Sequence, residues 1–362
     1  MKLTAYCCLV FVLAASAAWA VQYTVTDLGT LGGNLSEAYD VNDNGQIVGG
    51  SYTADGYQYA FVYNFNDGTM TALPTLGGNY GQAFGINNSG QVVGRSSIAD
   101  GTWHPFLWSG GQLTDLGTFG GGESGAARIN DREQITGYAR TATEEPHAFR
   151  YKDGMKKDLD TLGGPWSQGN DINDSGEVVG GSWTADYYAH AFLYSGGAMI
   201  NLGTLLGGPN SEAFGLNDNG QIVGRAEIAN GNSHAFLYSG GANGGTTDLN
   251  TLGGSWSWAW GINNRGQVVG YSETVDGRTH AFLYSDGVMT DLNSLIDPAT
   301  GWTLYKAGNI NNSGQIVGYG INALGQSHAF LLNPVPEPGT LVLIAPALLG
   351  FAGVAFRRMG RR

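Results

Sequence analysis

Apolar and polar residues alternate along this chain in short bursts, each closed by glycine, asparagine or aspartate. The stretch from Glu212 to Thr251 shows the unit. Glu212 to Asn217 alternates with the two-residue period of a β-strand. It runs into Asn217-Asp218-Asn219-Gly220, a hairpin signal in which glycine supplies a positive φ. Gln221 to Ala226 reads as the return strand, and Asn230-Gly231 as a second turn. His234 to Tyr238 is a third strand, Ser239-Gly240-Gly241 a third turn, and Thr246 to Thr251 a fourth strand.

This unit occurs seven times. Each copy carries an apolar-Asn-Asn/Asp step whose first Asn stands at 42, 87, 130, 173, 217, 263 or 311, so the spacing stays between 43 and 48 residues. A glycine follows seven residues later in every copy: Gly49, Gly94, Gly137, Gly180, Gly224, Gly270 and Gly318. Ten residues beyond it begins a His-Ala-Phe-like triplet, at Tyr59, His104, His147, His190, His234, His280 and His328. All six histidines of the chain occupy this one position. An Asp-Leu-Gly-Thr-Leu-Gly-Gly element, complete or partial, starts at Asp27, Ala72, Asp115, Asp158, Asn201, Asp248 and Asp291.

Four antiparallel strands repeated every ~40–50 residues predict an all-β fold, a seven-bladed β-propeller of four-stranded antiparallel blades. The chain opens with a fourth-strand element (Tyr23 to Leu31), and the seventh copy stops after its third strand near Leu332. The N-terminal strand is therefore expected to complete the last blade, which removes two open sheet edges. Length differences between copies should fall in third-to-fourth-strand turns, with one further insertion at Asp297 to Gly301.

The repeats resemble the HAF family of extracellular repeats over nearly the whole region between the chain ends. That resemblance implies an exported protein and supplies no established reaction and no catalytic residues. Composition agrees with the strand reading: 60 of 362 residues are Gly, and only 13% are charged, which disfavours long salt-bridged helices.

The two ends are expected to be addresses rather than fold. Lys2, the apolar run Cys7 to Ala18 and Ala18-Trp19-Ala20 read as a secretory signal peptide over residues 1–20. Cys7 and Cys8 are the only cysteines, so the region 21–334 has no disulfide and no thiol nucleophile. At residues 335–362, Pro336-Glu337-Pro338 precedes an apolar run from Thr340 to Phe356 and then Arg357, Arg358, Arg361 and Arg362. The run is near the lower length limit for a transmembrane segment. The three parts in this order resemble the PEP-CTERM sorting tail. The resemblance implies exosortase-type sorting machinery as a partner, processing near Pro336-Glu337-Pro338, a transient inner-membrane anchor, and a final place at the cell surface or outside the cell. Without Lys2, the terminal arginines and Glu337, the central region carries about −17, which argues against nucleic acid as a partner.

Candidate chemistry is sparse. If the histidines begin third strands, neighbours around a ring stand too far apart to share a metal, so they read as structural, tied to backbone or serine. Asp40-x-Asn42-x-Asn44-Gly45 matches the start of a calcium loop, but other copies place Gly or Arg first and lack the closing Glu, so hairpin turns explain these residues. No metal and no cofactor is expected, and no catalytic residue stands out.

Comparing copies is more informative. Five residues before the key Asn stand Glu37, Gln82, Gly125, Gln168, Glu212, Trp258 and Lys306; seven before it stand Leu35, Tyr80, Glu123, Trp166, Asn210, Trp256 and Leu304. These variable positions open the inner strand and should ring one mouth of the channel. Trp256, Trp258, Trp166, Tyr80, Gln82, Gln168, Glu37 and Glu212 form the expected ligand site, aromatics for sugar faces and polar groups for hydroxyls. Trp256 and Trp258 are the expected platform, and Trp260 is expected in the core. The sequence thus points to an exported, non-catalytic surface or matrix propeller associating with exopolysaccharide. The competing readings are a propeller glycosidase or lyase and a purely structural scaffold for partner proteins.

Overall fold

The glycine seven residues after each key asparagine explains how tightly the first two strands of a repeat pack. A Cβ on Gly49 would lie 1.9 Å from the Glu37 carbonyl oxygen, and one on Gly224 would lie 2.0 Å from that of Glu212. No side chain fits there, which is why the position never varies. The bulge that causes this approach recurs two residues before each asparagine, as between Ala213 and Gly215.

A computed structural model describes residues 23–65, 67–241 and 244–336. The first repeat runs β2 (Gly32–Val41), β3 (Gln46–Thr53), β4 (Gln58–Asn64) and β5 (Thr69–Ala72), preceded by β1 (Tyr23–Asp27). Repeats two to six follow the same order, so the chain is all-β with four-stranded antiparallel sheets joined by tight turns. The last repeat contributes three strands, Thr303–Ile310, Ile316–Ile321 and Ser327–Pro334. β1 adds to the third of these, antiparallel, with Tyr23 opposite Pro334 and Asp27 opposite Phe330. Single parallel bridges, Leu35 to Ser327 and Gln58 to Tyr80, link the last, first and second repeats into one twelve-stranded sheet; the other four sheets have four strands each.

The apolar core lies between neighbouring repeats. Phenylalanine of the His-Ala-Phe triplet is fully buried in every copy, from Phe61 to Phe330. One cluster joins Val223 and Ala235 to Ala259, Ile262, Val268 and Phe282 of the next repeat. Another joins Val317, Ala329 and Leu331 of the last repeat to Ala38, Val41, Ile47 and Phe61 of the first. Tyr23–Pro334 forms one compact unit.

Longer third-to-fourth-strand turns occur between Asn64 and Thr69 and between Ser239 and Gly245, where sequence spacing places them. The insertion before the last repeat folds into two single-turn 3-10 helices, Leu292–Ser294 and Pro298–Thr300, capped by Asp291 and Asp297. Residues 1–20, where a leader is expected, Glu337, Pro338 and the apolar run 340–356 lie outside the described residues. Among the described residues no helix is long and apolar enough to cross a membrane.

The partners expected for the histidines need correction. Each Nδ1 bonds the side chain that opens the Asp-Leu-Gly element: His104 to Asp115 at 2.8 Å, His147 to Asp158 at 2.9 Å, His190 to Asn201 at 3.0 Å, His234 to Asp248 at 2.9 Å and His280 to Asp291 at 2.6 Å. His328 takes Asp27 of β1 at 2.8 Å. The pair clamps fourth strand to third, a side-chain bond rather than one to backbone or serine. The first repeat has Tyr59 and Ala72 at these places, so both halves of the clamp are exchanged together.

Candidate functional site

First strands of the repeats surround a central axis, and the key asparagines form a belt around it. Asn42 Oδ1 accepts from the Gln46 N–H, closing its own turn, while its Nδ2 donates to the Asn87 carbonyl at 3.0 Å. Asn87 donates likewise to Asn130, and the series continues through Asn173, Asn217, Asn263 and Asn311. Asn311 donates to Asn42 at 3.0 Å. A second belt runs beside it, in which each backbone N–H donates to the next side-chain oxygen. Asp43 donates to Asn88, Asn88 to Asp131, and so on through Asp174, Asp218 and Asn264 to Asn312, which donates to Asp43 at 2.9 Å. Both belts border a cavity of about 170 Å³.

Above the belts sits a polar plug. Arg128 lies between two carboxylates, with Nη1 3.2 Å from Asp40 and Nε 3.7 Å from Asp171, and it donates to the Phe84 carbonyl. Asp40 also accepts from the backbone of Val41 and Ile86 and from Asn309. Asp171 accepts from the backbone of Ile172 and Leu216. Burial pushes the Asp171 carboxyl up to about 6, with Arg128 pulling against it. Gly85 and Gly261 hold corresponding positions in other repeats and leave room: a Cβ there would stand 3.0 Å from Arg128 and 2.4 Å from Asn309. Asp40, whose loop matches the start of a calcium site, and Asp171, at the same place in the fourth repeat, thus serve as anion partners of Arg128. Sequence reasoning missed Arg128; its signal was a lone cation at a position otherwise Gly, Asp or Asn.

Beyond the plug the axis widens into a cavity of about 650 Å³. Arg128 borders both cavities. Aromatic walls come from Tyr39, Phe84, Tyr138, Trp166, Phe214 and Trp260. Trp260 and Phe214 stack with centroids 4.5 Å apart and planes 7° apart. Polar groups come from Glu37, Gln82, Gln168, Asn170, Arg95, Arg140 and Lys306. Lys306 Nζ lies 3.7 Å from the Trp260 ring centroid, and burial pushes its ammonium down to about 8. The Tyr39 hydroxyl donates to Glu37 at 2.6 Å and is pushed up, mostly by burial. Trp260 Nε1 is buried without an acceptor in bonding geometry among the described residues, an orphan donor in a cavity wall.

Of the eight expected site residues, Glu37, Gln82, Trp166 and Gln168 line this cavity. Trp258 and Glu212 do not. The Trp258 ring is covered by the Arg225 guanidinium, 4.3 Å from its centroid, and Arg225 pairs with Glu212 at 3.1 Å. Trp256 packs edge-on against Tyr271, and Tyr80 lies against Tyr57 and Trp103 at the surface. Trp260 is corrected from core to cavity wall, because the inner strand turns this side chain toward the axis.

The solved structures that resemble the chain include a β-propeller domain and several peptidases. The β-propeller domain of the Trilobed protease from Pyrococcus furiosus matches with a TM-score of 0.51 at 10% identity, covering 70% of this chain and 83% of that one. The Pyrococcus horikoshii acylaminoacyl peptidase matches at 0.53 and 11% identity, covering 90% and 56%. A puromycin-hydrolyzing peptidase from Mycobacterium tuberculosis matches at 0.50 and 12%, covering 81% and 52%. The chain thus spans about half the length of the two peptidases. At such identities the likeness defines a β-propeller-type fold. It also corrects the expectation of a non-catalytic protein, since the fold is shared with hydrolases. A family described as a protein of unknown function (DUF3466) matches residues 209–324. No curated protein matches the chain.

Proposed function

We propose that the chain is an exported cell-surface or matrix protein, a closed seven-bladed propeller that binds exopolysaccharide in its wide axial cavity. Closure is supported by the two hydrogen-bonded belts that return from Asn311 to Asn42 and from Asn312 to Asp43. Pairing of β1 with the last repeat supports its role as the outer strand of the seventh blade. Export, sorting by exosortase-type machinery and a transient membrane anchor rest on the resemblance of the two ends. The observation that carries the binding reading is the cavity lining. Trp166, Trp260, Phe214 and Tyr39 offer flat apolar faces beside Gln82, Gln168 and Asn170, the mixture that holds a sugar ring by stacking and its hydroxyls by hydrogen bonds. A glycan array probed with the purified full-length protein tests it: retention on extracellular polysaccharides that is lost in Trp260→Ala supports the reading, and no retention on any glycan overturns it.

A second reading, a hydrolase acting on extracellular glycan, is favoured by one observation. Asp171, pushed up to about 6, lies with Asp40 against one arginine in the channel, a pair of carboxylates in unlike environments. Release of reducing ends from polysaccharide by wild type but not by Asp171→Asn would mark this activity.

A further inference from the structure

We propose that the wide cavity selects an acidic sugar, a ring bearing a carboxylate, rather than a neutral one; this rests on the glycan reading above. The chain as a whole is acidic, with 30 Asp and Glu against 17 Lys and Arg. The cavity reverses that balance. Its lining holds Arg95, Arg128, Arg140 and Lys306 against Glu37 as the one lining carboxylate. Arg128 is neutralised from the plug side by Asp40 and Asp171, and Arg140 faces Glu123 at 4.0 Å. Arg95 and Lys306 differ: among the described residues neither has a carboxylate within ion-pair distance.

Each of these two is held by uncharged groups. Arg95 donates through Nε and Nη2 to the Gln82 side-chain oxygen at 3.0 and 2.8 Å. Its guanidinium lies 4.6 Å from the Trp103 centroid and 5.6 Å from that of Phe84. Lys306 rests on Trp260, with Tyr271 5.5 Å away, and no acceptor among the described residues takes its protons. Among the described residues the one buried side-chain donor without a partner is Trp260 Nε1, so the unpaired Lys306 ammonium meets the water of the cavity, and a ligand that displaces this water has to supply an acceptor in its place. An anion entering the cavity would do so, while Trp260 and Phe214 present a ring face beside it. Hydroxyls alone would leave the more distant Glu37 as the counter-charge of Lys306.

The groups around Lys306 are Glu37 on β2, Tyr319 opposite it in its own sheet and Tyr271 across the neighbouring repeat, with Tyr39 bonded to Glu37 in the same cavity lining. The three tyrosines are pushed up by burial, away from neutral pH. Lys306, near 8, is therefore the group whose charge changes on mild alkalinisation.

The test titrates full-length protein, held in detergent, with matched pairs of trisaccharides. Each pair is a hexuronate oligomer (galacturonate, glucuronate or mannuronate) and its carboxyl-reduced neutral counterpart, followed by calorimetry and tryptophan fluorescence. The expected result is an acidic member bound at least about tenfold tighter than its neutral partner, the margin of one charge-assisted contact. Lys306→Met or Arg95→Gln should remove that margin. Affinity for the acidic member should fall as pH rises through about 8 in wild type and stay flat in Lys306→Arg, which retains the charge. The Arg variant keeps the test decisive should the Met variant not fold. Equal affinity within every pair, or a margin untouched by Lys306→Met, would overturn the acidic selectivity and leave glycan binding standing. Binding of no member of any pair would overturn both.

Discussion

At the residue scale, single side chains do work that no average over repeats reveals. Asp171 shows it through pH. Its folded carboxyl is pushed up to about 6 by burial, whereas the unfolded chain releases that proton near the ordinary value of an aspartate. Between about pH 4 and 6 the folded form therefore binds more protons, so this group's contribution to stability is present at low pH and lost as pH rises. Asp171→Asn copies the protonated form. Its melting temperature relative to wild type should climb between pH 4 and 7; a difference that ignores pH would remove Asp171 as the titrating group. Gly224 makes a second case. Its absent Cβ would sit 2.0 Å from the Glu212 carbonyl, so Gly224→Ala should cost ~3 kcal/mol or more, or prevent folding. Gly231 has φ +86° with open space around it, and its alanine variant should cost only ~1 kcal/mol. Chemical denaturation of both variants distinguishes close packing from backbone conformation.

At the scale of elements, the fourth strand is short and outermost, and it depends on the His–Asp clamp. The first repeat lacks the clamp, having Tyr59 in place of His and, opposite Phe61, Ala72 in place of Asp. Installing Tyr59→His and Ala72→Asp together should stabilise more than the two single changes add up to. A coupling of about 1 kcal/mol in a double-mutant cycle is the expected size, and no coupling would mean the bond is idle. Deleting β1 (Tyr23–Asp27) removes five ladder positions and the Asp27 partner of His328, and should lower the melting temperature clearly. These elements were legible in the sequence because each rests on local alternation, a turn signal and fixed spacing, repeated often enough to average out noise. The His partner was legible too, since Tyr59 and Ala72 depart from the pattern together, but a spacing of eleven residues, or fourteen for His234, only becomes a contact once the hairpin is known. The site was harder to read. Trp258 stood out because it is large, yet Arg225, 33 residues before it, covers its face, and nothing local shows that. Trp260 looked like core because its siblings are aromatic as well, whereas all of them face the axis.

For the whole molecule, belts and plug together decide what the axis can carry. Each asparagine of the belt uses the same side-chain amide to close its own turn and to reach the next repeat, so the loss of one should be felt on both sides. Asn263→Ala should destabilise by ~2–3 kcal/mol, more than an ordinary turn position, because it leaves the Arg265 and Gln267 N–H groups without their acceptor and takes from the Asn311 carbonyl one of its two donors. Thermal melting of this variant beside Asn219→Ala, an outer residue of the preceding repeat's turn, is the comparison. Arg128 has a different consequence. With its guanidinium pinned between Asp40 and Asp171, Arg128 stands across the passage between the narrow and the wide cavity. A polymer cannot thread through it like string through a bead. If the wide cavity is the glycan site proposed above, a polysaccharide would enter it by a loose end or a side branch, and the number of molecules it holds would follow its count of ends rather than its length.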